Sequence, residues 1–205
     1  MKRIITVILS LAASLVVMAQ VRITTPETEL IIKADKGADL QILYFGARLS
    51  DADAANIEAA GVSGHSAYRA YGLWCASEAS LGVTHADGNL STSLKVESVM
   101  QSDVIDNSIV TKVVMKDAVY PFYVTVCYRA YQDVDMIETW TEIENLEKKP
   151  VTLTRFDSGY LPIRVGDVWV SHLYGTWANE GRLAQEPLER GMMTIKNKDG
   201  VRNAH

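Results

Sequence analysis

Alternation of side chains between two faces is the dominant pattern along this chain. It is clearest over Phe122–Tyr131, where β-branched and aromatic residues occupy both sets of alternate positions. The next segment, Met136–Asn145, alternates in the same way, and Gln132–Asp135 between them has the composition of a turn. A period of two is typical of β-strands, because successive side chains point to opposite faces of a sheet. The pattern therefore predicts two antiparallel strands joined by that turn.

Further short apolar runs, separated by turn-forming residues, predict additional strands. These runs are Leu30–Ala34, Leu40–Phe45, Ala79–Thr84, Leu94–Met100, Ile109–Met115, Val151–Phe156, Val168–Leu173 and Met192–Lys196. One stretch has a helix-like composition: alanine-rich Asp51–Ala60, which follows a candidate cap at Ser50. About ten strands without helices between them indicate an all-β protein, a large antiparallel β-sandwich with a short helical excursion.

The N-terminus has the features of a secretory signal. Lys2 and Arg3 precede the apolar run Ile4–Met18, which is followed by the small residue Ala19. This run is shorter than the roughly 20 residues that a membrane-spanning helix needs, although a retained anchor is the alternative. The pattern predicts a signal peptide over 1–19, cleavage after Ala19, a single domain over 20–205, and a periplasmic or secreted protein.

Composition narrows the possible partners. The chain has 205 residues, of which 48% are hydrophobic and 22% charged, so it can bury a substantial core. With 20 Lys and Arg against 25 Asp and Glu, the net charge is −5, and no basic stripe is present. We therefore predict no nucleic-acid partner and, for the mature chain, no membrane partner. Export would permit Cys75 and Cys127 to form a disulfide, whereas Cys127 as a buried strand thiol is the alternative.

Familiar catalytic signatures do not occur in the sequence. The four histidines, none with a zinc-like spacing, are His65, His85, His172 and His205. Carboxylates are plentiful but lie side by side on one turn or one strand face, as do Asp133, Asp135, Glu138, Glu142 and Glu144. A glycosidase needs two carboxyl groups facing each other across its substrate, so a solvated charged face is the better interpretation. The sequence predicts no metal and no cofactor.

Tryptophans are the candidate contacts for a sugar. Trp140 lies within the acidic face of a predicted strand, while Trp74, Trp169 and Trp177 lie near predicted strand ends. An aromatic ring can stack on the C–H face of a sugar while polar neighbours bond its hydroxyls. Packing in the protein core is the alternative role for each ring.

The second half of the chain resembles a known family. The string Leu173–Glu180 (LYGTWANE), followed by Gln185–Leu188 and by Asp199–His205, is similar to the N-terminal domain of the melibiase-type α-galactosidases of glycoside hydrolase family 36. Upstream, Tyr71–Gly72 and Glu78–Leu81 match a weaker pattern of the same family. The resemblance extends over nearly all of the chain that follows the predicted signal peptide.

The resemblance implies a fold and an activity. In this family the N-terminal domain is a β-supersandwich, and a separate (β/α)₈ barrel behind it carries two catalytic aspartates that hydrolyse terminal α-galactosides with retention. That barrel would follow His205, so we expect the 205-residue chain alone to be inactive and to need no cofactor. The expected partners are an α-galactoside oligosaccharide, the C-terminal barrel of the same parent chain, and other copies in a homo-oligomer.

The resemblance also implies a substrate-binding segment. In the family, a loop of the sandwich leans over the mouth of the barrel, with an Asp at its tip in a pattern like Y-G-x-G-D-x-R-x-P-A-L. Here the matching stretch is Tyr71–Leu81, in which Cys75 replaces the Asp, Ser77 the Arg and Ala79 the Pro. Trp74 and Cys75 are the predicted substrate-binding residues, with Trp74 as a stacking wall. The alternatives are a stand-alone carbohydrate-binding module that uses Trp140, and a sandwich that serves only assembly.

Overall fold

The computed structural model describes residues 20–62, 64–72, 78–162, 167–176, 179–188 and 193–196. The chain divides into two compact units, Met1–Pro162 and Ile163–His205. Within the described residues the elements, in chain order, are β1 (Gln20–Thr24), β2 (Thr28–Lys33), β3 (Gln41–Ala47), α1 (Asp51–Ala59), β4 (His65–Ser66), β5 (Leu81–Thr84), β6 (Leu94–Gln101), β7 (Ser108–Asp117), β8 (Phe122–Tyr131), β9 (Ile137–Asn145), β10 (Thr152–Phe156), β11 (Trp169–Thr176) and β12 (Asn179–Pro187).

The first unit contains two four-stranded antiparallel sheets. One has the strand order β1-β2-β3-β4 and the other β6-β7-β8-β9, while β5 pairs with β10. The predicted pairing of the two most regular strands is confirmed, with Phe122 opposite Asn145 and Ala130 opposite Ile137. The β6–β7 hairpin turns at Asp106 and Asn107, which both have positive φ, as a type I′ turn requires. The prediction of an antiparallel all-β sandwich is therefore confirmed.

One hydrophobic core joins the inner faces of the two sheets. Alternate residues of β8, such as Val124 and Val126, are buried together with Ile23 and Ile32 of the first sheet. Complete burial of each such side chain contributes about 1.5–3 kcal/mol, so this cluster is the main source of stability. The core is the physical consequence of the period-two pattern in the sequence.

Helix α1 begins where the sequence predicted it. The Ser50 side chain accepts a hydrogen bond from the backbone N–H of Asp53 at 3.2 Å and donates one to its carboxylate at 2.7 Å. This arrangement is an N-terminal cap, which satisfies a backbone donor that the first turn leaves free. Ala54 is buried while Ala52, Ala55 and Ala59 are exposed, so the helix packs through Ala54 and forms the short excursion expected between strands.

The ends of the two sheets are fastened by polar contacts between turns. The Asp135 carboxylate, in the β8–β9 turn, accepts hydrogen bonds from the hydroxyls of Thr25, in the β1–β2 turn, and Thr28, the first residue of β2. Gln132 Nε2 donates to the carbonyl of Thr24 at 2.9 Å. These contacts fix the relative position of the two layers at this end of the sandwich.

The second unit contains a β-hairpin formed by β11 and β12, with Trp169 opposite Pro187 and Leu173 opposite Leu183. The strand predicted over Val168–Leu173 is confirmed. The strand predicted over Met192–Lys196 is wrong for 193–196, because the described residues there pair with no other strand. Met192 lies outside the described residues. The sequence pattern missed β1, β4 and β12.

No helix among the described residues has both the length and the apolar character needed to cross a bilayer. The predicted signal peptide, residues 1–19, lies outside the part of the chain that the structure describes.

Candidate functional site

The segment Tyr71–Ser80 is the candidate site, because it contains the predicted sugar-binding positions. Trp74 and Cys75 themselves, with the rest of 73–77, lie outside the described residues. Both ends of the segment, Tyr71–Gly72 and 78–80, are described, and we call these two ends the root. Three backbone hydrogen bonds close the root: Tyr71 N–H to the Leu81 carbonyl at 2.8 Å, and the N–H groups of Ser80 and Leu81 to the Arg69 carbonyl at 2.7 and 3.0 Å.

The glycine of the root is required by its backbone. Gly72 has φ of 107°, a conformation that side chains other than glycine rarely adopt. A Cβ atom placed on it would lie 2.5 Å from Cα of Ser91, so the space is closed as well. Beside it, the Thr92 N–H donates to the Tyr71 carbonyl at 3.0 Å. The segment therefore leaves β-structure at a fixed point, against residues 91 and 92.

The other end of the root is held by charge. Arg155 on β10 donates to the Glu78 carboxylate at 2.5 Å and reaches both oxygens of Asp157 at 3.3 Å. The Asp157 N–H donates to the Ser80 carbonyl at 2.9 Å, and the buried Tyr68 hydroxyl donates to the Asp157 carbonyl at 3.1 Å. Burial is the largest cause of the raised pKa of Tyr68, so this phenol stays protonated and acts as a donor. The root is thus defined on both sides by groups that the structure describes.

Sequence reasoning missed a buried histidine beside the root. The His85 side chain is fully buried and contacts Glu147 through one ring nitrogen and Thr92 through the other. Tyr120 stacks on the ring. The three partners are separated from His85 by 62, 7 and 35 positions, and no local spacing rule connects residues at such distances. His85 has no zinc-like spacing to other ligand residues, and the structure shows it in a hydrogen-bonded role.

Trp140, the candidate of the stand-alone binding module, is already engaged. The Arg129 guanidinium lies over its ring, 5.3 Å from the centroid, and its indole N–H donates to Glu142 at 3.2 Å. One face of the ring is therefore covered by a cation, as in other Arg–Trp pairs. This arrangement does not favour sugar stacking at Trp140. Glu138, Glu142 and Glu144 on the same face are exposed, as the solvated-face interpretation predicts.

Cys127 is a free thiol, buried on β8 opposite Trp140. The buried-thiol alternative is the one that the structure shows. Burial is the largest cause of its raised pKa of about 12, and the negative charge of Glu142 adds to it. The thiol therefore stays protonated at neutral pH and is not a nucleophile.

An apolar cavity of about 420 Å³ opens at the same end of the sandwich as the Asp135 contacts. Its lining includes Phe45, Tyr128, Ile137 and Leu161, together with Asp135. The size suits a small ligand, but the carboxylate of Asp135 is already bonded to two threonine hydroxyls. Across the described ranges, no group of three or more His, Cys, Asp or Glu side chains could hold a metal ion.

Comparison with known proteins gives the family. The model of the glycosyl hydrolase family 36 N-terminal domain matches residues 38–205. Among curated proteins, no sequence matches the chain significantly.

Solved structures give the fold. An α-galactosidase AgaA variant from Geobacillus stearothermophilus, in complex with 1-deoxygalactonojirimycin, has a TM-score of 0.76 and 18% identity over 88% of this chain. AgaB from the same organism has a TM-score of 0.74 and 18% identity over 89% of this chain, and the Lactobacillus brevis α-galactosidase 0.69 and 18% over 86%. The chain covers 30%, 29% and 28% of these three proteins, respectively. From the family match over most of its length, we conclude that the chain belongs to the glycosyl hydrolase family 36 N-terminal domain family.

Proposed function

We propose that this chain is the N-terminal β-sandwich domain of an exported, retaining α-galactosidase-like glycoside hydrolase that acts on terminal α-galactosides. The observation that carries the proposal is the family match over residues 38–205. The similar solved structures are α-galactosidases, and two of them are complexes with raffinose and stachyose. In this proposal the catalytic carboxylates belong to a barrel that follows the sandwich in the parent chain, and the 205 residues alone are inactive.

The proposed contribution of the sandwich is to shape the entrance of the active site. The root of Tyr71–Ser80 supports this role, because its hydrogen bonds and its charged contacts hold the two described ends, Tyr71–Gly72 and 78–80, at defined positions. Trp74 would offer a ring to the sugar, and Cys75 would stand where the family carries a charged group. Loss of that charge would remove a strong hydrogen-bond partner of the galactose hydroxyls and shift recognition towards stacking.

The test uses the complete protein encoded by the reading frame. We expect hydrolysis of p-nitrophenyl α-galactoside and of raffinose, with no hydrolysis of the β-anomer, and an α-configured first product in NMR. The 205-residue chain should show no turnover. A folded complete protein without activity on any α-galactoside would contradict the proposal.

Two variants separate the proposed segment from the alternative module. Trp74→Ala should raise KM for raffinose by about tenfold, as expected for loss of one stacking contact. Trp140→Ala should leave KM unchanged, because Arg129 already covers a face of that ring. The reverse result would favour a binding module centred on Trp140.

Export is proposed from the N-terminal pattern alone. N-terminal sequencing of the protein recovered from the periplasm or the medium should begin at Gln20. Recovery from the cytoplasm with Met1 intact would contradict export.

We also propose a homo-oligomer, which light scattering of the complete protein would test.

A further inference from the structure

We propose that His85 is a positioning residue for the root of Tyr71–Ser80. Three connections of the sandwich meet around its ring: β5–β6 supplies His85 and Thr92, β7–β8 supplies Tyr120, and β9–β10 supplies Glu147. His85 comes directly after β5, whose first residue, Leu81, pairs with the root. The ring therefore lies where three loops and the root of the candidate site come together.

The contacts of the ring leave it one orientation. Nδ1 is 2.7 Å from Glu147 Oε1, and Nε2 is 2.9 Å from Thr92 Oγ1. The second Glu147 oxygen accepts the Ala86 N–H at 3.1 Å. With Nδ1 donating to the carboxylate, both nitrogens have partners, and rotation of the ring would break both bonds.

Aromatic side chains hold the same ring from its face and edge. The Tyr120 and His85 ring centroids are 3.8 Å apart, with 11° between their planes, and Phe122 makes an edge contact at 5.8 Å. The Tyr120 hydroxyl donates to Asp87 at 2.8 Å and accepts from Asn89 at 2.9 Å. The stacked tyrosine is thereby tied to the turn that follows His85.

Thr92 transmits the position of His85 to the root. Its side chain meets Nε2 of His85, while its own N–H donates to the carbonyl of Tyr71, the residue before Gly72. The adjacent Ser91 lies so close to Gly72 that it leaves no room for a side chain on the glycine. A displacement of Thr92 would therefore move the point at which the segment leaves the sandwich.

A structural role alone would give His85 a different signature. A buried hydrogen-bonded pair such as His85 and Glu147 contributes little net stability compared with apolar side chains of similar volume. What it supplies is direction, because each bond has a preferred geometry. Loss of the Thr92 contact should thus loosen the root more than it lowers the stability of the whole domain.

The consequence for catalysis rests on the proposed function. If the segment borders the sugar site, loosening its root should raise KM for raffinose while kcat changes little, because the reacting atoms lie in the barrel. A purely destabilising change would instead lower the amount of active enzyme and leave KM unchanged.

The experiment uses hydrogen–deuterium exchange on the complete protein, with four variants. His85→Asn places an amide N–H near the position of Nδ1 and keeps the Glu147 contact, but it loses the contact with Thr92. Thr92→Val removes the same contact from the other side with little change in volume. The third is the double variant, and the fourth is the control Val126→Ala, which weakens the main core far from this contact in sequence.

We expect exchange at the hydrogen-bonded amides of Tyr71, Ser80, Leu81 and Thr92 to accelerate by about tenfold in both single variants, and no further in the double variant. Exchange over 108–117 and 125–131, which excludes the ring contacts Tyr120 and Phe122, should stay unchanged except in Val126→Ala. Equal acceleration in all peptides, or no acceleration at residue 92, would overturn the positioning role. Hydrogen exchange can be measured without turnover. A complete protein that lacks α-galactosidase activity would therefore refute the proposed function, while the exchange data would still test the positioning role of His85.

Discussion

Glu29 of β2 is completely buried, and its carboxylate is bonded to the guanidinium of Arg22 on the neighbouring strand β1. The second Glu29 oxygen accepts from the Arg22 guanidinium at 3.1 Å and from the Leu49 N–H at 3.0 Å. Arg22 also reaches the Leu49 carbonyl and the fully exposed Asp51 at the start of α1. This pair therefore joins two strands, the loop after β3 and the helix.

The first prediction concerns the cost of breaking this pair. Arg22→Ala leaves a buried carboxylate without its charged partner and should lower the free energy of unfolding by about 3–5 kcal/mol. Asp51→Ala is the matched control, because it removes the exposed partner of the same guanidinium and should cost less than about 1 kcal/mol. Urea unfolding followed by circular dichroism measures both. Equal effects of the two variants would show that burial of Glu29 is not what makes the pair important.

The second prediction concerns the reactivity of Cys127. Because burial raises its pKa to about 12, the thiol should not react with iodoacetamide at pH 8 in the folded protein. In urea the same thiol should react at the rate of a free cysteine. The measurement uses a Cys75→Ser background, so that mass spectrometry follows Cys127 alone. Rapid labelling of the folded protein would contradict the buried position.

The third prediction concerns the glycine of the root. Gly72→Ala should destabilise the fold by more than the roughly 1–3 kcal/mol that a strained backbone conformation costs, because the new Cβ would also meet Ser91. Gly37→Ala is the matched control: Gly37 also has positive φ, but a Cβ there meets no atom within 4 Å. Thermal unfolding should rank Gly72→Ala below Gly37→Ala. A larger loss for Gly37→Ala would argue against the close approach at Ser91.

The fourth prediction concerns pH. The hydrogen bond from Thr25 is the largest cause that lowers the pKa of Asp135 below its usual 3.8, and that from Thr28 adds to it. A carboxylate with a depressed folded pKa stabilises the fold fully above the unfolded pKa and loses this contribution as the pH falls through the folded value. The difference in unfolding midpoint between the native protein and Asp135→Asn should therefore be constant at neutral pH and shrink below about pH 4.

Urea titrations from pH 7 to pH 2 would measure this difference. Asp103→Asn, a substitution of an exposed aspartate, is a control for the general loss of charge. A difference between the native protein and Asp135→Asn that persists unchanged at pH 2 would contradict the assigned hydrogen bonds.

Alternation along the sequence predicted most of the sandwich. The strands around Phe122 and Ile137 were predictable because β8 buries one face, β9 packs Ile137 and Ile143 partly against the same core, and the turn between them is short. Ser50 was predictable as a cap because capping depends on residues only three positions apart. These features are local, so one stretch of sequence contains the information.

Contacts between distant residues were not predictable in this way. His85 and Glu147 are 62 positions apart, and only the packing of three loops brings them together. β12 lacks a regular apolar alternation, and pairing with β11 defines it. In contrast, 193–196 has strand-like composition but pairs with no strand in the described part of the chain. The candidate segment comes from the sequence resemblance and stays a prediction, whereas the groups that fix its described ends became visible only in the structure.

The most direct test of the account is the stereochemistry of hydrolysis by the complete protein. We predict cleavage of p-nitrophenyl α-galactoside, with α-galactose as the first product in time-resolved proton NMR and slow equilibration to the β-anomer afterwards. The absence of α-galactoside cleavage by a folded protein, or β-galactose as the first product, would contradict the proposal that this sandwich serves a retaining α-galactosidase.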